Sequence, residues 1–461
     1  MSDGRRVVVV GGGVAGLTAA YRLARTQDPP SVTLLEAGDR VGGSVRSVRV
    51  GDLTLDAGPD SFVARKPWAV DLCRELGLDR ELVAPGSSGA WLWTERGLVP
   101  MLRNAAFGIP GDVGDVLRWP GLSGAARRRA ARDLLIRPRR EEGDESLGSL
   151  LRRRLGDEAT DLGVAPLLAG LFAGDVDHLS AAATFPELQR WESSQGSLIR
   201  GSQAARRAGG PDAGPMFLKL RDGTATLTDR LAQRLGDHVV RTGARVTEIR
   251  RTAAAFEVRT ADGECVPADA VIVGTPAAPA ADLLAGIAPA ALGELTSAST
   301  AVIFLVYAEG TQTSLPDGTG FVVPRGRAPM TACTWLSSKW PREAFGTRAV
   351  LRCYVGSAGD DDVVDAPDDE MVEACARHLA ALLPLPARAE HAEVVRWRGA
   401  MPQYEVGHRE RVARIRSGLP AGIFMTGSAY DGVGIPDCVR AAGETADAAG
   451  AHLASTKETV G

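Results

Sequence analysis

Three glycines and one carboxylate at fixed spacing carry the first recognisable chemistry in this chain: Gly11, Gly13 and Gly16, with Glu36 twenty residues further on. The run Gly11-Gly12-Gly13-Val14-Ala15-Gly16 fits G-x-G-x-x-G. In that pattern the first glycine permits a tight turn, the second lets a pyrophosphate approach the backbone, and the third lets a helix pack on a strand. Glu36 stands where an acid holds the ribose hydroxyls on the adenine side. The elements that must position these residues are legible around them. A β-branched run over 7–10 reads as a buried parallel strand, residues 17–24 continue as an apolar helix, and 32–35 form a second strand ending at Glu36. The helix start offers free N–H groups and a positive dipole end to phosphates. A dinucleotide site follows.

What comes after Glu36 separates FAD from NAD. Ala37, Arg40, the pair Gly42-Gly43, Ser44 and Arg46 crowd the next ten residues, where an NAD-binding chain would enter another helix. Adjacent glycines let a second stretch of backbone reach a phosphate, and Arg40 can neutralise it through charge-assisted hydrogen bonds. A strand ending near Asp56 then leads into the rigid turn Gly58-Pro59-Asp60-Ser61, suited to presenting backbone to a flavin ring.

On these residues the chain resembles the flavin-dependent amine oxidase superfamily and, within it, the protoporphyrinogen and coproporphyrinogen oxidases. Residues 36–46 are similar to the superfamily's second FAD motif, and Gly58-Pro59-Asp60-Ser61-Phe62-Val63-Ala64-Arg65-Lys66 to the narrower group. Trp397, Met401-Pro402-Gln403-Tyr404-Glu405-Val406-Gly407-His408 and Gly432-Val433-Gly434-Ile435-Pro436-Asp437 resemble the same group. The resemblance implies a two-domain α/β fold: a discontinuous, Rossmann-like FAD-binding domain, a mixed-sheet substrate domain, and a helical insertion like the membrane-binding subdomain of membrane-bound relatives. It implies that the loop through Val433, Gly434 and Ile435 lies against the flavin, that Val246 gives adenine a backbone contact, and that FAD is non-covalent, since no Cys or His stands at the attachment position. The activity implied is oxidation of a porphyrinogen to a porphyrin with oxygen as acceptor. Six electrons leave through three reductions of FAD, yielding three molecules of hydrogen peroxide, and the protein needs no catalytic acid or base of its own.

Residues 61–66, 331–335 and Lys339-Trp340-Pro341 look most like the soluble coproporphyrinogen III oxidases of Gram-positive bacteria. That resemblance makes coproporphyrinogen III the expected substrate, protoporphyrinogen IX the alternative, and a coproporphyrin ferrochelatase the downstream partner. A carotenoid desaturase or amine oxidase would share the FAD parts but not the 433–436 loop. From another class, a flavin-bearing protein could hold a tetrapyrrole or prenyl lipid without turnover. A macrocycle requires an apolar slot with cations at its mouth. Phe321, Val322 and Trp335 are candidates for the slot, although a strand tryptophan reads equally as core. Arg65 and Lys66 are candidates for the mouth, with a solvated pair as the plainer reading.

Composition bounds the rest. The chain has 461 residues, 44% of them hydrophobic, enough for two or three structural units, and its net charge of −4 gives no reason to expect nucleic acid. Six scattered cysteines without metal-ligand spacing suit buried thiols in a reducing cytosol. No apolar span is long enough to cross a membrane, and a first strand at residue 5 leaves no room for a signal peptide; a cytoplasmic protein with at most peripheral contact at the membrane's inner face is expected. Only four of the 53 basic residues are lysine, a skew that reads as genome composition. The organisation expected is an FAD domain in three parts (1–86, 217–284 and 395–461), a helical insertion (87–216) and a substrate domain (285–394). Within the insertion, arginines 127–129, 132, 137, 139 and 140 form either a lipid-facing basic helix or a solvated face beside a loop at 137–144. Residues 201–214 read as a flexible loop.

Overall fold

The computed structural model describes residues 5–139, 143–208, 214–253 and 255–460. At its centre is a five-stranded parallel sheet in the order Val240–Arg241, Ser31–Leu35, Arg6–Val10, Ala270–Val273, Ile423–Met425. The valines of the first strand alternate between two cores, which explains their unbroken apolar run. Val7 and Val9 face the helices Val14–Leu23 and Ile435–Val460. Val8 and Val10 face the antiparallel meander Val246–Arg251, Phe256–Thr260, Cys265–Ala268. Covering both faces leaves the carboxyl edge of the strands as the open side, where such sheets bind ligands. Between the strands Val240–Arg241 and Val246–Arg251 the chain turns at Gly243, whose φ of +69° lets the amides of Gly243 and Ala244 reach the carbonyls of Gly38 and Glu36.

The second sheet has seven strands in the order His391–Pro402, Ser297–Val306, Val350–Val355, Ala332–Trp335, Gly320–Val322, Trp91–Thr94, Gly97–Pro100. Its membership corrects two expected boundaries. The hairpin 91–100 pairs with residues 321–322 and belongs to this sheet rather than to the helical insertion. The boundary at 394/395 falls inside a strand that pairs along residues 297–306. One face packs beneath the helix Asp368–Leu382 through Ile303, Leu305, Phe321, Cys333, Trp335 and Leu351. The other packs through Val302, Phe304, Val306 and Val395 on the hairpin Ser47–Val50/Leu53–Asp56 of the first domain.

Helices between residues 113 and 208 form the insertion around Leu147, Leu150, Leu151, Leu188 and Leu198. The last of them, Leu198–Ala208, takes up part of the stretch expected to be loop, because Leu198, Ile199 and Ser202 bury one helical face. Residues 209–213 lie outside the described residues. The arginine run is divided. Arg129 donates to the carbonyls of Arg152, Arg153 and Arg154, closing the C-terminal end of the helix Leu147–Leu155, while Arg128, Arg132 and Arg137 are exposed. Arg140 lies outside the described residues. Beneath them Arg154 is fully buried against the equally buried Asp133 at 2.5 Å, with Glu192 beside it.

Candidate functional site

At the carboxyl edge of the parallel sheet, Gly11, Gly13 and Gly16 are glycine for three different reasons. Gly11 has φ +105° and abuts Gly274. A Cβ on Gly16 would overlap the carbonyl of Gly11. A Cβ on Gly13 would meet nothing within 4 Å, so this position borders open space where the helix through Val14 and Ala15 begins with no side-chain cap. The next glycine pair lies flat on that loop: Gly42 donates to the Gly12 carbonyl at 2.8 Å, and Gly43 abuts Gly13. Glu36 accepts from the amides of Gly12 and Gly38 at 2.6 and 2.7 Å, which aims its carboxylate along the loop and leaves each oxygen a second lone pair for a hydroxyl. A backbone cradle with uncapped amides, open space at Gly13 and an oriented acceptor fits a dinucleotide. Ala37 and Ser44 are exposed at its border.

Arg40 is exposed at the border of this loop. Its guanidinium donates to the carbonyls of Val41, Val45 and Gly43, bracing the loop from behind.

The turn after Asp56 is locked from several sides. Gly58 packs so tightly on the Ser44 carbonyl that a Cβ has no room. The Ala57 carbonyl accepts from both Arg352 (3.1 Å) and the Trp397 indole (3.0 Å), two residues of the second sheet. The Pro59 carbonyl accepts from the Thr224 hydroxyl. Asp60, buried, accepts from Lys339 at 3.0 Å, from the Trp340 indole at 2.9 Å and from Ser61 at 2.8 Å. Burial alone would raise its carboxyl pKa; Lys339, Arg352 and the Trp340 N–H outweigh burial and hold it well below the usual range. Asp56 pairs with the buried Lys219 at 2.6 Å.

Lys66 closes a third pair, with Asp437 at 2.7 Å in the first turn of the last helix. The carboxylate that it meets is 371 residues away in sequence, and the lysine side chain stays half-exposed. Arg65 is exposed. Val246 is half-buried, beside the chain turn at Gly243, and Val433 and Gly434 are half-buried next to the buried Ile435, where the last helix begins.

The substrate-side aromatics also move. Phe321 and Trp335 are buried under the helix Asp368–Leu382, on the face turned away from the first domain. Strand alternation puts their neighbours Val322 and Thr334 on the opposite face, together with Arg352 and Tyr354. Residues that the sequence reading missed line a cavity of about 320 Å³ between the insertion and this sheet: Leu162, Ala165, Ala169 and Ala173 on one side, Val323, Arg325 and Thr331 on the other. Its wall contains a π-helical turn at Thr160–Val164 and a strained residue, Ala173, at φ +45°. The glycine-flanked Gly170-Leu171-Phe172-Ala173-Gly174 was the available signal.

The sequence profile of the flavin containing amine oxidoreductase family matches residues 14–449. The coproporphyrinogen III oxidase of Bacillus subtilis is 35% identical over 454 residues, covering 95% of this chain and 97% of that protein. The chloroplastic protoporphyrinogen oxidase 1 of Arabidopsis thaliana is 29% identical, covering 95% and 87%. A crystal structure from Exiguobacterium sp. 255-15, provisionally named a protoporphyrinogen oxidase, superposes with a TM-score of 0.88 at 34% identity over 98% of this chain and all of that one. A putrescine oxidase variant superposes at 0.72 with 18% identity, a likeness of fold.

Proposed function

For a chain that belongs to the flavin-containing amine oxidoreductases, we propose oxidation of coproporphyrinogen III to coproporphyrin III, with non-covalent FAD and oxygen as acceptor. The observation that carries the reading is a meeting of two segments. Gly58–Lys66 and Lys339–Pro341 each resemble the porphyrinogen oxidases, and they join through Asp60, Lys339 and Trp340 at one buried turn. FAD when bound supplies hydride acceptance and electron transfer to oxygen, with six electrons leaving the substrate for three O2 and forming three H2O2.

The chain's own residues bind and orient. The amides at Gly13–Ala15 take the pyrophosphate, Glu36 takes the ribose hydroxyls, and Val246 takes the adenine through its backbone. Gly58–Ser61 and the amides at Val433–Ile435 flank the flavin. Cys438 is buried beside the Gly432 carbonyl with its thiol pushed up to about 12, so it stays protonated and offers no thiolate for covalent attachment. The cavity between the insertion and the second sheet, lined on the sheet side by Val323, the neighbour of Val322, receives the macrocycle. Arg65, exposed at the turn, faces its carboxylates. Among the described residues no helix is long and apolar enough to cross a membrane; the place of action we infer is the cytoplasm, with at most peripheral lipid contact, and a coproporphyrin ferrochelatase as consumer of the product.

The test is aerobic mixing of the yellow protein with coproporphyrinogen III and, separately, protoporphyrinogen IX. Porphyrin fluorescence and oxygen uptake are expected with both and faster with the first. Faster turnover of protoporphyrinogen IX transfers the assignment to that substrate. Flavin retention without oxygen uptake would make the chain a binding protein.

A further inference from the structure

The run Gln403–His408 has no part in the cradle or the cavity, yet it joins them. Gln403 is buried, and its amide donates to the carbonyl of Phe172, at the strained loop of the cavity wall, at 2.8 Å. Tyr404 is 2% exposed. Its ring lies between Phe172, with centroids 5.7 Å apart, and His408, stacked at 3.9 Å and 14°. Its hydroxyl donates to the Ser428 carbonyl at 2.6 Å and accepts from the Gly432 amide at 2.7 Å. His408 adds a third hold, Nε2 to the Tyr430 carbonyl at 3.1 Å. All three contacts grip the turn between the strand Ile423–Met425 and the last helix.

That turn lies at the carboxyl edge of the parallel sheet, where Gly427 approaches Gly274, itself beside Gly11. It is poorly bonded within itself, with one long bond from the Tyr430 amide to Gly427 at 3.3 Å, and Gly432 has φ +132°. Its shape is therefore imposed from outside. Burial keeps the Tyr404 hydroxyl protonated and pushes the His408 pKa down, so both partners hold their neutral forms. Val433, just beyond the turn, packs into the core of the helical insertion with Tyr404.

We propose that Tyr404 is a positioning residue for the cofactor: its hydroxyl fixes the 428–432 turn so that the amides at 433–435 face FAD, and its ring ties that orientation to the cavity wall. This rests on the FAD reading above. The test is Tyr404→Phe, which keeps the ring stack and deletes two buried hydrogen bonds. The FAD dissociation constant, read from quenching of flavin fluorescence on titrating apoprotein, is expected to rise about tenfold, and the bound flavin's visible band to lose its resolved shoulder. His408→Gln keeps a donor for Tyr430 but removes the stack; its dissociation constant should rise about threefold, a readout that stands if the first variant fails to fold. A purely structural role would lower the melting temperature of apo and FAD-bound protein alike and leave FAD affinity unchanged. FAD affinity within about twofold of wild type in the folded variants overturns the proposal. Wild-type protein that takes up FMN and not FAD would instead sink the FAD reading.

Discussion

The cradle at residues 11–16 and the turn at 56–61 meet across one loop, Gly43 against Gly13 and the Ser44 carbonyl against Gly58, but are made differently. The cradle is main chain: its helix starts without a side-chain cap, and Gly13 borders open space. The turn is gripped by side chains from three remote segments, around residues 219–224, 339–352 and 397, and Gly58 has no space at all. Space is left open at Gly13 and filled completely at Gly58. Substitution at Gly13 should therefore cost the cofactor but not the fold, whereas substitution at Gly58 should cost both.

The largest contrast is between two alanines. Gly58→Ala drives a Cβ into a backbone carbonyl that no rotamer change relieves, and should lose more than about 3 kcal/mol in urea unfolding together with its yellow colour. Gly13→Ala, at a φ of −70° that alanine adopts freely, should unfold at the wild-type urea midpoint and still bind FAD poorly. Equal stability losses in the two variants would dissolve the distinction.

Asp60→Asn breaks a buried pair and should cost about 3 kcal/mol, with pH as the sharper readout. The native Asp60 pKa is depressed, so its stabilisation is complete above the ordinary aspartate range and is lost as pH falls through that range toward the native value. The stability gap between wild type and Asp60→Asn should close on acidification; a gap independent of pH would remove the carboxylate from the account.

On the second sheet, Phe321→Leu should lose about 1 kcal/mol while leaving KM for coproporphyrinogen unchanged. Val322→Ser should raise KM with little loss of stability. The reverse pattern would return the slot to the buried face. Lys66→Ala is the smallest: the pair with Asp437 is half-exposed and worth about 0.5 kcal/mol. Its effect should appear as slightly faster FAD release, with KM unmoved.

The parallel sheet, the βα entry and most strands of the second sheet are legible in the chain because glycine spacing and valine runs state them directly. Phe321 and Trp335 were misplaced by a single step of strand parity. Both faces of that sheet are covered by apolar partners, so alternation marks two faces without saying which meets the cofactor domain. At Lys66 and Arg40 the limit is another: charge and position name a donor but not its acceptor, and the acceptors within the chain are an aspartate near the other end and three local carbonyls. The hairpin 91–100 carried its own signal in Trp91-Leu92-Trp93-Thr94, masked by the helices that follow.

The scarcity of lysine acquires a use here. Of four lysines, Lys66, Lys219 and Lys339 are held in ion pairs around the turn, and Lys219 and Lys339 also lie over the face of Trp340. Amine-directed acylating reagents therefore have few competing targets in this protein. The rate at which Lys219 and Lys339 acquire label is a direct clock for how often the turn springs open, readable residue by residue by mass spectrometry.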